Sequence, residues 1–292
     1  QPPAQPTVAA KTSPVAAVST VPPEVQELLN AFPNITVAAD NSGAWPKPLH
    51  GVEHYIETSG RPVTAKPRRL DPEKLRIAEE EFKKLEAAGI VRRSKSPWAS
   101  PLHMVPKADG SWRPCGDYRR LNNLTVPDQY PLPNLQDMSS RMDGCTVFSK
   151  IDLVKGYHQV PVAESDIPKT AIITPFGLFE YVYMPFGLRN AAQTFQRLMD
   201  HIFRDLPSAF TYLDDNIVFS KSRDTHLCDL NNLFEVLSEN GLRINPDKCE
   251  FMKSELDFLG HHITADGVAP MRSHVETIEQ FLPPSEVKQL QR

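Results

Sequence analysis

The sequence predicts an α+β fold organised around an antiparallel sheet. Three observations predict it. Apolar residues recur at helical spacing over 71–88, 193–206 and 225–240. Between these segments lie short apolar runs of strand length, several of which fold back across a turn. No internal repeat organises the two kinds of segment into a solenoid or a barrel.

Each element follows from local chemistry. Residues 1–23 hold only Gln, Pro, Ala, Val, Ser and Thr around a single charge at Lys11, a linker composition. Residues 24–66 read as a connector without a period, apart from a short helix from Val25 to Phe32. Within it, Asp40-Asn41-Ser42-Gly43 resembles an aspartic-protease D-[ST]-G turn, but an Asn is inserted and no apolar strands flank it; a plain turn is expected. Asp71 caps a helix that starts at Pro72 and stops at Gly89, burying Leu75, Ala78, Phe82 and Leu85 while Glu79–Glu81, Lys83 and Lys84 face water. Proline-rich extended pieces follow over 96–113. Val147–Ile151 is a buried strand closing on Asp152. Lys169–Thr174 and Leu178–Met184 form a hairpin across Pro175-Phe176-Gly177. The 193–206 helix buries Phe195, Leu198, Met199, Ile202 and Leu206. Phe210–Ser220 is a strand-turn-strand with Asp214-Asp215 at its turn. The 225–240 helix buries Leu227, Leu230, Phe234 and Leu237 and ends at Gly241, and a last hairpin spans Glu250–Ile263.

Composition narrows the function classes. At 292 residues, 40% apolar and 23% charged, the chain suits one or two globular domains, and its 28 prolines against 13 glycines imply rigid connectors. No apolar run approaches the roughly 18 residues that span a bilayer, so no membrane role is expected. Cys115, Cys145, Cys228 and Cys249 include no C-x-x-C pair, which predicts reduced thiols in an intracellular compartment and no zinc site. His261-His262 lies outside any H-E-x-x-H motif, so a zinc hydrolase is unsupported. The chain opens on Gln1 without a secretory leader, as expected of a piece of a longer product. Net charge is −4, yet residues 61–120 hold 15 Lys/Arg against 8 Asp/Glu, leaving −11 for the rest. Such a basic lobe suits phosphates, or is simply a solvated helix flank.

Three carboxylates stand out by position. Asp152 closes an apolar strand, and Asp214-Asp215 interrupt the run Tyr-Leu-Asp-Asp-Asn-Ile-Val-Phe. Anions at the ends of buried strands repel one another and lose hydration, so folding alone does not favour them there. Divalent cations would offset that cost, and magnesium takes oxygen ligands while keeping positions for phosphate oxygens. Taken alone, Asp214-Asp215 reads as a polar turn.

The order of short segments is more specific. Arg113-Pro114-Cys115-Gly116-Asp117-Tyr118-Arg119 is followed by Val147–Leu153, then by Tyr157-His158-Gln159-Val160 and Tyr183-Met184-Pro185-Phe186-Gly187-Leu188. Thr194-Phe195-Gln196, Tyr212-Leu213-Asp214-Asp215 and Phe258-Leu259-Gly260 complete the series. Over roughly residues 50–292 the chain resembles the reverse transcriptase of gypsy-type LTR retrotransposons.

That resemblance implies a right-hand polymerase with an antiparallel palm sheet packed on helices. Fingers would occupy 67–126 and 160–190, palm 127–159 and 191–265, and 266–292 would start the connection to a thumb that is lacking. It implies DNA synthesis from dNTPs on an RNA or DNA template and primer, with two Mg2+ ions, Mn2+ as substitute, bound by Asp152, Asp214 and Asp215. Tyr157 matches the gate that rejects a 2′-hydroxyl, with a core tyrosine as the alternative. Lys107 and Arg113 match the cations that hold the triphosphate, with plain surface charge as the alternative. Phe186 and Gly187 match the nucleotide floor, Leu259 and Gly260 the primer grip. Lys248 matches the lysine that protonates pyrophosphate, or is a solvated side chain. Further implied partners are the protease, ribonuclease H and integrase parts of a Pol polyprotein, and the implied location is a cytoplasmic virus-like particle or the nucleus.

Two departures stand against the pattern. Ala192 replaces the proline expected after Asn190-Ala191, which would loosen the template-facing turn, and Asn216 puts an amide where an apolar residue is expected. Together they motivate a second reading, a degenerate copy that only binds nucleic acid or assembles.

Overall fold

The computed structural model describes residues 21–36, 45, 47–107 and 110–279. The linker up to residue 20 and the Asp40-Asn41-Ser42-Gly43 turn lie outside them. In chain order, helices α1 (Pro23–Ala31) and α2 (Pro33–Thr36) each begin on a proline, whose missing N–H costs nothing there. Helix α3 (Pro72–Ala87) is capped by Asp71, whose carboxylate accepts from Lys74 N at 2.9 Å. Strands β1 (Val91–Arg93), β2 (Ser100–Pro106) and β3 (Trp112–Gly116) precede helices α4 (Arg119–Leu124) and α5 (Leu135–Arg141). Strand β4 (Val147–Asp152) leads through a 3₁₀ turn, Gly156–Gln159, to a second, Ile167–Thr170, and to the hairpin β5 (Ile172–Thr174) and β6 (Gly177–Tyr181). Helix α6 (Ala191–Ile202), strands β7 (Ala209–Tyr212) and β8 (Asp215–Ser220) and helix α7 (Arg223–Glu239) follow. Strands β9 (Glu250–Lys253), β10 (Leu256–Phe258), β11 (His261–Thr264) and β12 (Gly267–Pro270) and helix α8 (Arg272–Glu279) end the described chain.

The strands form three sheets. A five-stranded sheet has the order β1-β6-β5-β2-β3, and its β2–β5 pair is parallel. A four-stranded sheet, β7-β8-β4-β9, is antiparallel throughout. The third is β10-β11-β12. Three expectations need correction. The strand expected from Lys169 begins only at Ile172, because the 3₁₀ turn Ile167–Thr170, with Pro168 in its first positions, occupies the preceding residues. Helix α6 runs over Ala191–Ile202 rather than 193–206, closing where Phe203 N donates to Met199 O. The expected Glu250–Ile263 hairpin is two structures: β9 adds to β4, Met252 takes a positive φ, and a separate β10–β11 hairpin follows.

Both faces of the four-stranded sheet are covered, which explains its unbroken apolar runs. Along β8 the side chains alternate: Val218 joins the main core with Ile151, Phe195 and Leu230, whereas Ile217 and Phe219 join Phe148, Phe258 and Ile263. The connector is part of this body. Phe32 meets Phe234 edge-on, Ile244 N donates to Ile35 O, and single bridges tie His54 to Val162, Thr58 to Thr125 and Thr64 to Ala99.

A buried polar chain crosses the main-core face. His226, fully buried on α7, hydrogen-bonds Ser149 of β4 (2.7 Å) and Ser220 of β8 (2.8 Å), and Met252 N donates to the same Ser149 hydroxyl. Burial pushes the imidazole down to about 4. A histidine depressed in this way stabilises fully above its unfolded value and loses that contribution as pH falls from about 6.5 towards 4. Urea unfolding at pH 7 and pH 4.5 should therefore show a larger acid loss in the parent than in His226→Gln, by up to about 3 kcal/mol; equal losses would mean the imidazole does not titrate with unfolding.

Candidate active site

The paired ends of β4 and β8 build the site. Asp152, last residue of β4, stands opposite Asp215, first residue of β8. Strand β8 is reached from β7 through Leu213-Asp214, and Leu213 holds φ +54, a left-handed conformation that costs a leucine about 1–2 kcal/mol. Gln196, buried on α6, accepts from Leu213 N at 2.8 Å and offsets that cost. Asn216 fits the turn rather than breaking it: its amide donates to Asp214 O and Ile151 O, although its Oδ1 is unpaired. The turn before α6 is likewise held despite Ala192, because Asn190 bonds both Asp128 N and Val126 O.

Asp214 lies against Gly156. A Cβ at Gly156 would stand 2.6 Å from Asp214 Oδ1, so only glycine leaves room for the carboxylate. Burial first, then Asp215 and Asp152, push Asp214 up to about 6. Asp152 is also raised by burial, with Lys248 acting against it, Asp215 adding to it and Lys150 opposing. Asp214 Oδ1 is buried without a hydrogen-bond partner. An orphaned carboxylate oxygen beside a second raised carboxylate is the donor set a hard cation fits. Among the described residues no three carboxylate, imidazole or thiol groups converge as a closed ligand shell. Asp215 does not share the cavity wall: its carboxylate is 46% exposed and lies 3.9 Å from Lys150 Nζ. By register Asp215 shares the sheet face of Asp152 and Lys150, and its carboxylate leans to the lysine.

A cavity of about 490 Å³ opens in front of Asp152 and Asp214. Lys107, Arg113 and Lys248 line it, with Gly156, His158 and Phe186. Tyr157 lies outside the wall, packed between Phe186 (4.8 Å) and Phe195 (5.2 Å), its hydroxyl pushed up to about 12 by burial and by Asp214. Arg113 stands 5.8 Å over the Phe186 ring. Gly187 is outside the wall too; its φ of +91 makes the turn whose carbonyl accepts from Asn122. Leu259 and Gly260 form the positive-φ turn between β10 and β11, where Leu259 packs on the smaller core, and they do not line the cavity.

Residues 105–263 match the family described as reverse transcriptase (RNA-dependent DNA polymerase). The chain belongs to the reverse transcriptase family. It is 37% identical over 275 residues to a retrovirus-related Pol polyprotein from transposon 297 of Drosophila melanogaster, covering 91% of this chain and 26% of that one. It is 33% identical over 276 residues to the transposon Tf2-3 polyprotein of Schizosaccharomyces pombe, covering 92% and 20%. It thus spans a fifth to a quarter of these relatives. A foamy viral protease-reverse transcriptase in complex with double-stranded DNA shares the fold, with a TM-score of 0.80 at 21% identity over 94% of this chain and 49% of that one. The same viral protein with an RNA/DNA hybrid gives 0.78 at 20% identity, over 94% and 37%. The fold is the fingers and palm of a right-hand polymerase. Reverse transcriptases generally use divalent metal ions.

Three residues around this cavity have no role assigned from the sequence. Gly156 and His158 flank Tyr157, and both line the cavity. Gln196 was quoted only as part of a motif. A readable signal existed for it: an amide among Phe195, Leu198 and Met199 on the inward face of an amphipathic helix must find buried partners.

The raised Asp214 sets a stability trend opposite to that of a salt-bridged carboxylate. In metal-free protein its penalty is absent below the unfolded value near 3.8 and complete above about 6, at most about 3 kcal/mol. Asp214→Asn should raise the metal-free melting temperature at pH 7.5 by about 2–5 °C and leave it unchanged at pH 4. Scanning calorimetry at the two pH values checks both.

Proposed function

We propose that this chain is the catalytic core of an RNA-directed DNA polymerase, transferring nucleotides from dNTPs to a primer 3′-hydroxyl on an RNA or DNA template. One observation carries the reading: Asp152 and Asp214, both raised and one with an orphaned oxygen, line one cavity with Lys107, Arg113 and Lys248. Two carboxylates and three cations lining one cavity suit a polyphosphate bound through metal.

Asp152 and Asp214 would hold two Mg2+ ions, or Mn2+ in their place, and when bound these would supply charge stabilisation to the attacking and leaving oxygens. The remaining work falls to the chain. Arg113 forks onto phosphate oxygens, Lys107 adds a point charge, and both neutralise charge that grows on the leaving pyrophosphate. Lys248, which lines the cavity and acts electrostatically on Asp152, would protonate that pyrophosphate. Phe186, backed by Tyr157, forms an apolar floor for the sugar and base; Tyr157 excludes a 2′-hydroxyl by keeping that floor raised.

Template and primer would meet the basic lobe. Among the described residues Lys66, Arg69, Lys95, Lys107 and Arg113 carry no ion pair, whereas Arg68 and Arg119 are tied to Asp117. The foamy viral relatives were solved on double-stranded DNA and on an RNA/DNA hybrid. Fingers at 67–126 and 160–190 would contain all five strands of the mixed sheet, and palm at 127–159 and 191–265 the whole antiparallel four-stranded sheet. Protease, ribonuclease H and integrase parts of a polyprotein are the proposed neighbours, in a cytoplasmic virus-like particle or the nucleus.

Primer extension on an RNA template with Mg2+ tests the proposal. Extension should be detectable in the parent and fall at least about a thousandfold in Asp152→Ala and Asp214→Ala, with near-parental duplex binding that weakens steeply with salt. Parental extension by the Asp214 variant, or tight duplex binding without any parental product, would overturn it in favour of a binding module.

A further inference from the structure

The turn that carries Asp214 is held from outside by a chain of hydrogen bonds. Gln196 Oε1 accepts from Leu213 N at 2.8 Å, and Gln196 Nε2 donates to Asp200 Oδ1 at 2.8 Å and to Thr211 O at 3.3 Å. Asp200 Oδ2 in turn accepts from the Tyr130 hydroxyl at 2.8 Å. Gln196 is fully buried, while Asp200 borders an open groove on the surface, one helical turn along α6.

A primary amide has two orientations, and its partners choose between them. Leu213 N–H only donates, so the turn needs the Gln196 oxygen. A carboxylate at position 200 only accepts, so it requires the Gln196 nitrogen. Asp200 therefore admits the one orientation that also satisfies Leu213. Resting on the polymerase reading above, we propose that Asp200 is a positioning residue for nucleotide transfer: through Gln196 it locks the left-handed Leu213 and so aims Asp214 into the cavity. Asp200 touches neither substrate nor metal.

The logic predicts a swap. Gln196→Glu places a carboxylate against Asp200, two acceptors with no donor between them. Gln196→Glu combined with Asp200→Asn restores the two shorter contacts, since the carboxylate accepts from Leu213 N–H and the amide at 200 donates to it; only the 3.3 Å contact to Thr211 O stays lost. The test measures kcat, dNTP KM and half-saturating Mg2+ in primer extension, and amide exchange at Leu213 in metal-free protein. Asp200→Ala should speed exchange at Leu213 and lower kcat about tenfold each, raise half-saturating Mg2+ several-fold and leave dNTP KM within about twofold. Gln196→Glu should lose about a hundredfold in kcat, and the double variant should return to within about threefold of the parent.

Parental exchange and parental kcat in Asp200→Ala would overturn the proposal, as would a folded double variant no better than Gln196→Glu alone. If Gln196→Glu does not fold, Asp200→Ala decides alone. If the parent makes no product, the polymerase reading fails by itself, and exchange at Leu213 still decides whether Asp200 holds the turn.

Discussion

Burial of two carboxylates at the ends of paired strands is the constraint on which the rest of the structure depends. Asp152 and Asp214 are both raised by loss of water. Charged groups in that setting are held only if the surrounding packing leaves them nowhere else to go. The four-stranded sheet provides that packing, with Phe148, Ile217 and Phe219 on one face and Ile151 and Val218 on the other. A sheet filled on both faces cannot slip by one residue without exposing a row of large side chains. The register that sets Asp152 opposite Asp215 is therefore fixed by apolar area well away from the site.

Smaller devices finish the placement. Gln196 holds the Leu213 amide, and Gly156 clears the space that Asp214 enters. Gln159 ties the 3₁₀ turn to the segment before Lys248 by donating to Val154 O and Arg243 O and accepting from Arg243 N. Asn245 N donates to Asp152 O, which seats that segment beside the strand end. Each device fixes backbone and leaves the carboxylate oxygens uncommitted. That division suits a site whose charges are meant for a ligand.

Much of this was legible in the sequence because it is local. Asp71-Pro72 and Gly89 bracket α3 through cap chemistry, and the apolar run around Asp214-Asp215 marks a buried hairpin whatever its surroundings. The order of motifs then gave the family, and with it Lys107, Arg113 and Lys248, which the fold brings to one cavity with Asp152 and Asp214. What stayed hidden depends on tertiary approach. Residues 47–66 have no period because their partners lie on several elements, reached through single bridges. Asp215 lies by Lys150, and Tyr157 lies behind Phe186, because a charged neighbour and ring packing decide which way each side chain leans. Leu259-Gly260 match a primer-grip motif, yet among the described residues their turn packs on the smaller core; motif matching conveys kinship, not distance.

The central claim is that Asp152 and Asp214 form a cation site in which Asp214, when the site is empty, takes up a proton near pH 6. Calorimetric titration with Mg2+ in buffers of different ionisation enthalpy measures the protons released on binding. With Asp214 near 6, release of about half a proton is expected at pH 6 and almost none at pH 8, with no release at either pH in Asp214→Asn. Magnesium binding at pH 6 without proton release, or with the same release in the Asp214 variant, would contradict it.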